Sequence, residues 1–123
     1  MSVSLHLPGW TADYKTKLTF YGFRYIRVNE FPGGAQKADL SSFTGIAVHS
    51  QMKRTGYIRT SDPMVNQLFS NIIWGQKSNF VDVPTDCPQR DERQAWTADT
   101  QNFAETGCWL NRTKNFLEKY TSL

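Results

Sequence analysis

The sequence has few residues of the types that hold small secreted or metal-binding proteins together. Its 123 residues include two cysteines and two histidines. Cys87 and Cys108 form neither a CxxC pair nor any zinc-ligand spacing, so we expect no structural metal site. Two free thiols are the favoured interpretation, and a disulfide between them is the alternative.

Long apolar runs and clusters of like charge are also missing. No apolar stretch approaches the ~20 residues that a membrane-spanning helix needs, so we expect no membrane association. The net charge is +3, and the basic residues are scattered along the chain. A nucleic-acid-binding surface is usually a clustered basic stripe, so nucleic acid is not an expected partner.

The chain begins MSVSLHLPGW, a segment without the basic and apolar regions of a signal peptide. The compartment therefore stays open at this point, with the cytoplasm favoured.

Aromatic residues, in contrast, are abundant at 14% of the chain. They bury large areas and they also line carbohydrate sites, so they favour a core or a sugar site without choosing between them. In the first half of the chain, aromatic and β-branched residues form segments that predict antiparallel strands. The predicted strands are residues 18–31 and 43–50, with a turn at Pro32-Gly33-Gly34, and residues 56–59 form a short third strand or an extended segment.

The pattern becomes helical after residue 60. Ser61-Asp62-Pro63 predicts a helix start, because a capping side chain precedes a proline in the first turn. The predicted helix runs to about Asn79. A second helix is predicted from near Thr97 to Leu110 or beyond, with a third over residues 111–121. One apolar stripe with helical spacing marks the first helix: Val65, Leu68, Phe69, Ile72, Ile73 and Gln76.

Single residues in these helices carry further predictions. Phe103, Gly107 and Leu110 share a face of the second helix, where Gly107 would allow close packing. Trp74 and Trp109 also fall at helical positions, and we predict that they pack in the core or between helices rather than bind sugar.

These elements predict a β region over residues 1–60 joined to an α region over residues 61–123. Three strands and two long helices complete neither a sheet layer nor a helical layer. The wide apolar stripe of the first helix needs partners on more than one side. We therefore expect a fragment of a larger protein or a chain that depends on another. A small α+β domain that closes on itself is the alternative.

The segment 83–99, VPTDCPQRDERQAWTAD, concentrates acidic side chains beside two arginines and a tryptophan. A carboxylic acid can act as a general acid when burial or a second carboxylate raises its pKa. Arg90 and Arg93 can bind carboxylates or sugar hydroxyls. Trp96 offers a flat apolar face and would lie on the same side as Glu92 if the segment were helical. Composition alone fits a sugar site, and a solvated loop is the alternative.

The order of these residues is more specific than their composition. The run DVPTDCPQRDERQAWTADTQ closely resembles the signature segment of the α-L-rhamnosidases of glycoside hydrolase family 78, which carry a DCPxR-acid-E-R-x-G-W-x-G-D pattern. The resemblance extends to YGFRYIRV and to residues 49–86, and it covers about residues 19–120. Ala95 and Ala98 stand where the family usually has glycine, so each adds a methyl group to the backbone of the segment.

The resemblance implies a fold class and a reaction. The implied fold is an α+β fragment, in which the end of an antiparallel β-sandwich (residues 1–60) is followed by the first helices of an (α/α)6 barrel (residues 61–123). The implied activity is hydrolysis of terminal α-L-rhamnosyl residues with inversion, without a cofactor. The implied partners are a rhamnose-containing glycoside or oligosaccharide and the remainder of the catalytic domain.

The resemblance also implies roles for individual residues. Glu92 matches the general acid, and Asp86 and Asp99 match carboxylates that bind rhamnose hydroxyls. Arg90 matches the arginine beside them, and Trp96 matches the aromatic residue that packs against the sugar. Asp91 is taken as structural.

An inverting glycosidase also needs a general base ~6.5–9.5 Å from the acid. In the family this base comes from a later part of the barrel, and the later acids Glu105 and Glu118 match no family role. We therefore expect the acid half of a site and little or no turnover by this chain alone. The rival hypotheses are a carbohydrate-binding module without turnover and a truncated product without a function of its own.

Overall fold

The computed structural model describes residues 20–31 and 33–123, and its regular structure is helical. Three α-helices lie in the second half of the chain: α1 (Pro63–Asn79), α2 (Thr97–Leu110) and α3 (Lys114–Thr121). Two short 3-10 helices, Ala35–Lys37 and Leu40–Ser42, precede them. The predicted bounds of α1 and α2 are confirmed, and α3 begins later than predicted. No helix of the described residues is both long enough and apolar enough to span a bilayer.

The predicted strands are not formed in the described part of the chain. Residues 20–31, 43–50 and 56–59 belong to no strand there, and the β pairing consists of isolated bridges, Arg54 with Asn111 and Phe80 with Pro84. An alternating segment becomes a strand only where a neighbour supplies partners for its N–H and C=O groups. The structure therefore corrects the strand assignment. Residues 18–19 lie outside the described range, and the β-sandwich end stays a prediction from the resemblance.

The contacts divide the chain into two units, with the boundary between Ile46 and Ala47. In the first unit, the turn predicted at residues 32–34 is confirmed at its described residues. Gly33 and Gly34 have φ angles of 83° and 99°, a region that glycine enters without a steric penalty. The Gly34 N–H donates to the carbonyl of Phe31 at 2.9 Å. The predicted domain boundary after residue 60 stays a prediction.

In the second unit, α1 begins where the sequence predicts because Asp62 caps it. The Asp62 carboxylate accepts a hydrogen bond from the Met64 N–H at 2.7 Å, and Pro63 occupies the first turn. The Asn66 side chain then exchanges two hydrogen bonds, each of 2.8 Å, with the backbone of Thr60. The helix start and the segment before it are thus held together by side-chain contacts.

An apolar core and a buried amide network join α1 to α2. Phe69, Ile73 and Leu110 form the core, and Phe103 packs against it. Gln76 is 2% exposed. Its Nε2 donates to the carbonyl of Gly107 at 3.4 Å, and its Oε1 accepts from the Asn111 Nδ2 at 2.6 Å. Buried amides with partners on both sides fix the register of two helices as well as their contact.

Part of the predicted apolar stripe of α1 stays exposed. Val65 is 42% exposed and Leu68 is 59% exposed, whereas Phe69, Ile73 and Gln76 are buried. Trp74 and Trp109 are 55% and 74% exposed, so the prediction that they pack in the core or between helices is wrong for this chain. The second unit therefore presents apolar side chains on both long helices.

Two helical glycines provide a matched test of the packing between α1 and α2. A Cβ on Gly75 would meet nothing within 4 Å, whereas a Cβ on Gly107 would lie 3.0 Å from the Gln76 Nε2. Gly75→Ala is expected to stabilise the chain by about 0.5–1 kcal/mol through helix propensity. Gly107→Ala is expected to be destabilising by about 1–2 kcal/mol, because the Gln76 amide is held on both sides and cannot yield.

Urea unfolding followed by far-UV circular dichroism measures both glycine variants. Equal stabilisation by the two alanines would contradict the close packing at Gly107.

Candidate active site

The segment that connects α1 to α2, here called the acidic loop (residues 80–96), is anchored at its first residue. Phe80 is 4% exposed. Its ring stacks on Phe116 of α3, with centroids 4.6 Å apart, and meets Phe103 of α2 edge-on at 5.9 Å. The Thr85 N–H donates to the carbonyl of Asn79 at 2.9 Å and turns the loop back toward α1.

Asp86 and Gln94 close the middle of the acidic loop. The Asp86 N–H donates to the Gln94 carbonyl at 3.1 Å, and the Gln94 N–H donates to the Asp86 Oδ1 at 2.7 Å. The Asp86 side chain is 7% exposed. Between them, Arg93 has a φ of 44°, an uncommon region for a residue with a Cβ. The chain therefore reverses within a short distance and presents Glu92 next to Asp86.

Both carboxylate oxygens of Glu92 are engaged. The Arg90 Nε donates to Oε2 at 2.8 Å, and the Arg90 Nη2 lies 2.7 Å from the same oxygen. The Trp96 Nε1–H donates to Oε1 at 3.1 Å. Residues 91–96 are not helical, so the condition under which the sequence placed Glu92 and Trp96 on one side is not met. Glu92 and Trp96 do lie together, because the loop rather than a helix brings them there.

Arg90 joins the two carboxylates at the centre of the acidic loop. Its Nη2 lies 3.3 Å from the Asp86 Oδ2 as well as 2.7 Å from the Glu92 Oε2. One guanidinium thus orients two acids, which a planar group with several N–H donors does well. The structure brings together four of the five residues predicted for the site: Asp86, Arg90, Glu92 and Trp96.

The fifth predicted residue, Asp99, lies in the first turn of α2 and faces a shared groove. A groove of about 300 Å³ lies between α1 and α2, and Asp86, Trp96 and Asp99 all line it. Its other walls are largely apolar, with Ile72 and Phe103 among them. Trp96 is 52% exposed, so one part of its ring remains accessible. Carboxylates beside an apolar and aromatic wall can bind a ligand with hydroxyls on one side and a methyl group on the other.

The surroundings of Asp86 lower its pKa below the ordinary value of 3.8. Burial acts to raise this pKa, but the Cys87 thiol, the Gln94 N–H and the Arg90 charge lower it by more. The pKa of Arg90 is raised above its ordinary value, first by its hydrogen bond to Glu92. Asp86 and Arg90 are therefore held as an ion pair inside the loop.

Comparison with known proteins assigns this arrangement to a family. Residues 53–123, more than half of the chain, match the model described as bacterial alpha-L-rhamnosidase 6 hairpin glycosidase domain. The chain belongs to the α-L-rhamnosidase six-hairpin glycosidase family. The resemblance in the acidic loop is thereby confirmed, and the helices are part of a helical domain of the six-hairpin type.

Individual α-L-rhamnosidases agree with the family match. The chain is 45% identical over 107 residues to the α-L-rhamnosidase of Streptomyces avermitilis, which covers 87% of this chain and 10% of that protein. It matches the crystal structure of native α-L-rhamnosidase from Aspergillus terreus with a TM-score of 0.73 and 45% identity, over 79% of this chain and 11% of that one.

A third comparison includes a bound sugar. The structure of the Streptomyces avermitilis α-L-rhamnosidase complexed with L-rhamnose matches with a TM-score of 0.57 and 46% identity, over 58% of this chain and 7% of that one. The chain therefore spans about a tenth of the length of these α-L-rhamnosidases.

One cluster in this α-L-rhamnosidase segment has the donor types of a metal site. Asp86, Cys87 and Glu92 place one ligand atom each within 4.8 Å of one another. Arg90 already supplies a positive charge to both carboxylates of the cluster. The geometry is accounted for by this ion pair, and we assign no metal to it.

Three residues that contribute to the site were missed by the sequence interpretation. Gln94 acts through its backbone, and Cys87 is buried beside Asp86, so neither side chain gives a chemical signal in the sequence. Tyr120 lies on α3, and its hydroxyl donates to the Ala95 carbonyl at 3.0 Å. Cys87 and Cys108 are both free thiols, so the favoured interpretation without a disulfide is confirmed.

The lowered pKa of Asp86 predicts a pH dependence of stability. A carboxyl group whose pKa is lower in the folded than in the unfolded state stabilises the fold above its unfolded pKa, here about 3.8. That contribution is lost as the pH falls through the folded-state value. We therefore expect the urea concentration at the unfolding midpoint to decrease when the pH is lowered below about 4. Asp86→Asn is expected to make this decrease smaller.

The matched control for Asp86→Asn is Asp91→Asn, because Asp91 is exposed and takes no part in the hydrogen bonds of the loop. The measurement is the urea midpoint at pH 5, 4 and 3. An Asp86→Asn chain with the same pH dependence as the unchanged chain would contradict the assignment.

Proposed function

We propose that this chain supplies the general-acid half of an inverting α-L-rhamnosidase active site, with Glu92 as the acid. The observation that carries the proposal is the position of Glu92. Its carboxylate is held by Arg90 and by Trp96, and Trp96 lines a groove together with Asp86 and Asp99. The family match at residues 53–123 supports the sugar as the ligand of that groove.

In the proposed reaction Glu92 protonates the glycosidic oxygen while the bond to the sugar breaks. The carboxyl group has to be protonated when the substrate binds and has to face the leaving oxygen. Trp96 binds the Oε1 of Glu92 and also lines the groove. We therefore assign the proton transfer to Oε1, the oxygen that Trp96 contacts.

The other residues of the site bind the sugar. Asp86 and Asp99 accept hydrogen bonds from rhamnose hydroxyls, and the exposed part of the Trp96 ring packs against the apolar C6 methyl group. Arg90 orients both carboxylates, that of Asp86 for binding the sugar and that of Glu92 for proton transfer. One solved relative is described as complexed with L-rhamnose, which supports rhamnose as the sugar.

We propose that the general base of the inverting reaction lies outside this chain. The carboxylate oxygens of Asp86 and Glu92 lie within 4.8 Å of each other, shorter than the ~6.5–9.5 Å between the two carboxyl groups of inverting enzymes. Asp86 is also ion-paired with Arg90, so we do not propose it as the base. The base and the barrel remainder are therefore proposed as partners of residues 61–123, with residues 1–60 as part of a β-sandwich domain.

A second candidate is a chain without activity of its own. It is favoured by the exposed apolar side chains of α1 and α2, among them Leu68 at 59% and Trp109 at 74% exposure. Exposed apolar patches mark surfaces that bind other protein elements or cause aggregation. On this candidate the purified chain releases no rhamnose from an aryl α-L-rhamnoside, and it elutes as aggregates in gel filtration.

A graft tests the proposed function directly. Residues 53–123 replace the matched segment of the Streptomyces avermitilis enzyme, which supplies the rest of the barrel. We expect the graft to hydrolyse an aryl α-L-rhamnoside, and proton NMR of the first product to show the inverted anomer. A folded graft without turnover, or one that releases the retained anomer, would rule out the proposed role.

A further inference from the structure

Helix α3 contacts the acidic loop at both of its ends. At the start of the loop, the Phe116 ring stacks on Phe80 with centroids 4.6 Å apart, and the Lys119 Nζ forms an ion pair with Asp82. At the end of the loop, the Tyr120 hydroxyl donates to the Ala95 carbonyl at 3.0 Å. The loop is thus closed from outside by one short helix.

The three α3 residues that make these contacts lie on one face of the helix. Phe116, Lys119 and Tyr120 are spaced i, i+3 and i+4, which places them side by side on a helix surface. Phe116 is 8% exposed, so the helix is seated firmly at the first end of the loop. The position of Tyr120 relative to Ala95 is therefore fixed by the packing of Phe116.

Ala95 lies between the two residues that contact the acids, so a displacement of Ala95 would move both Asp86 and Glu92. The Gln94 backbone, on one side, accepts from the Asp86 N–H at 3.1 Å and donates to the Asp86 Oδ1 at 2.7 Å. Trp96, on the other side, donates to Glu92 at 3.1 Å. A hydrogen bond to the Ala95 carbonyl fixes the peptide between these two contacts.

We propose that Tyr120 is a positioning residue, and that α3 holds the acidic loop closed through the Tyr120 hydroxyl so that Glu92 and Asp86 keep their relative orientation. The effect of this contact on catalysis rests on the proposed role of Glu92 as the general acid. The effect of the contact on loop closure does not depend on that role.

Cys87 reports the closure of the loop without any reaction. It lies in the loop and is 3% exposed, and its Sγ lies within 4.8 Å of carboxylate oxygens of Asp86 and Glu92, so a thiol reagent reaches it only when the loop opens. In a Cys108→Ser background Cys87 is the one remaining thiol. We expect Tyr120→Phe, in the full 123-residue chain, to increase the rate of Cys87 labelling about fivefold, the factor for the net contribution of one hydrogen bond.

The matched control is Thr121→Val, which removes a neighbouring hydroxyl that donates to the Glu118 backbone carbonyl within α3 at 3.1 Å. Thr121→Val should leave both the Cys87 labelling rate and the urea-unfolding midpoint as they are in the chain without this substitution. Equal labelling rates in Tyr120→Phe and Thr121→Val would overturn the proposal. Lys119→Gln removes the ion pair with Asp82 and keeps the Tyr120 hydroxyl, so it is expected to raise the labelling rate less than Tyr120→Phe does. An equal or larger increase in Lys119→Gln would overturn the proposal.

A second measurement separates positioning from general stability. Carbon-detected NMR titration of Asp86 is expected to show its pKa moving up toward 3.8 in Tyr120→Phe but not in Thr121→Val. In the grafted enzyme, Tyr120→Phe is expected to lower kcat several-fold with little change in KM.

The activity of the graft tests the role of Glu92, and the labelling of Cys87 tests the role of Tyr120. An inactive graft with faster Cys87 labelling in Tyr120→Phe would contradict the role of Glu92 and support the closure of the loop by Tyr120. An active graft with an unchanged labelling rate in Tyr120→Phe would support the role of Glu92 and contradict the closure by Tyr120.

Discussion

Glu92→Gln in the grafted enzyme is expected to lower kcat/KM for an alkyl or sugar α-L-rhamnoside by about 10²- to 10⁴-fold. The physical reason is that an amide cannot donate the proton that such a leaving group needs. Glutamine has nearly the same shape as glutamate, and its amide oxygen can still accept the hydrogen bond from Arg90. Its NH2 group then faces the Trp96 N–H, so circular dichroism of the Glu92→Gln graft is compared with the unchanged graft before the rates are.

The leaving group distinguishes acid catalysis from binding. An aryl group with a low leaving-group pKa needs little protonation, so its rhamnoside is expected to lose much less rate in Glu92→Gln. The measurement is kcat/KM for a series of aryl rhamnosides of increasing leaving-group pKa. A uniform loss across the series would mean that Glu92 binds the sugar instead of protonating the leaving oxygen.

Asp91→Asn is the matched control for this experiment. Asp91 is the neighbouring carboxylate, is exposed, and makes none of the contacts that orient Glu92. It is expected to keep kcat/KM within about threefold of the unchanged graft, as an exposed residue outside the site normally does. A loss as large as that of Glu92→Gln would move the acid to the adjacent position.

Phe80→Ala is expected to be the most destabilising single change in the second unit, by about 3–5 kcal/mol. Phe80 is 4% exposed and contacts both Phe116 of α3 and Phe103 of α2 directly after the end of α1. Its removal leaves a cavity where three helices meet. Since marginally stable domains have about 5–15 kcal/mol in total, the cooperative unfolding transition should weaken severely or disappear.

Urea unfolding followed by circular dichroism tests the role of Phe80, with two variants for comparison. Phe80→Leu keeps part of the volume and is expected to cost less than Phe80→Ala. Phe43→Ala changes a phenylalanine of the first unit that is 40% exposed, and it should have a small effect. If Phe80→Ala unfolds at the same urea concentration as Phe43→Ala, the three helices do not depend on this ring.

The helices and the candidate site were predicted from the sequence with different success. Asp62 and Pro63 predicted the start of α1, because capping is a local interaction that a few residues decide. The strands were not predicted correctly for the described residues, because a strand depends on a partner that sequence periodicity does not supply. Trp74 and Trp109 were predicted to pack and are exposed, since periodicity gives a face of the helix but not what covers it.

Within the acidic loop, the residue types were evident from the sequence and their arrangement was not. The order of Asp86, Arg90, Glu92 and Trp96 resembled a family signature, and the family match confirmed that resemblance. The contact between Glu92 and Trp96 needed the left-handed turn at Arg93 and the closure between Asp86 and Gln94. These backbone contacts leave no mark in residue spacing.

The sequence by itself determined the bounds of α1 and α2, the glycine packed between them, and the family, because each depends on neighbouring residues or on a linear motif. Only the tertiary structure decided that one guanidinium holds two carboxylates, that Trp96 meets Glu92 without a helix, and that α3 closes the loop through Tyr120. Tyr120 and Ala95 are far apart along the chain. Their contact exists because Phe80 and Phe116 stack and bring α3 against the acidic loop.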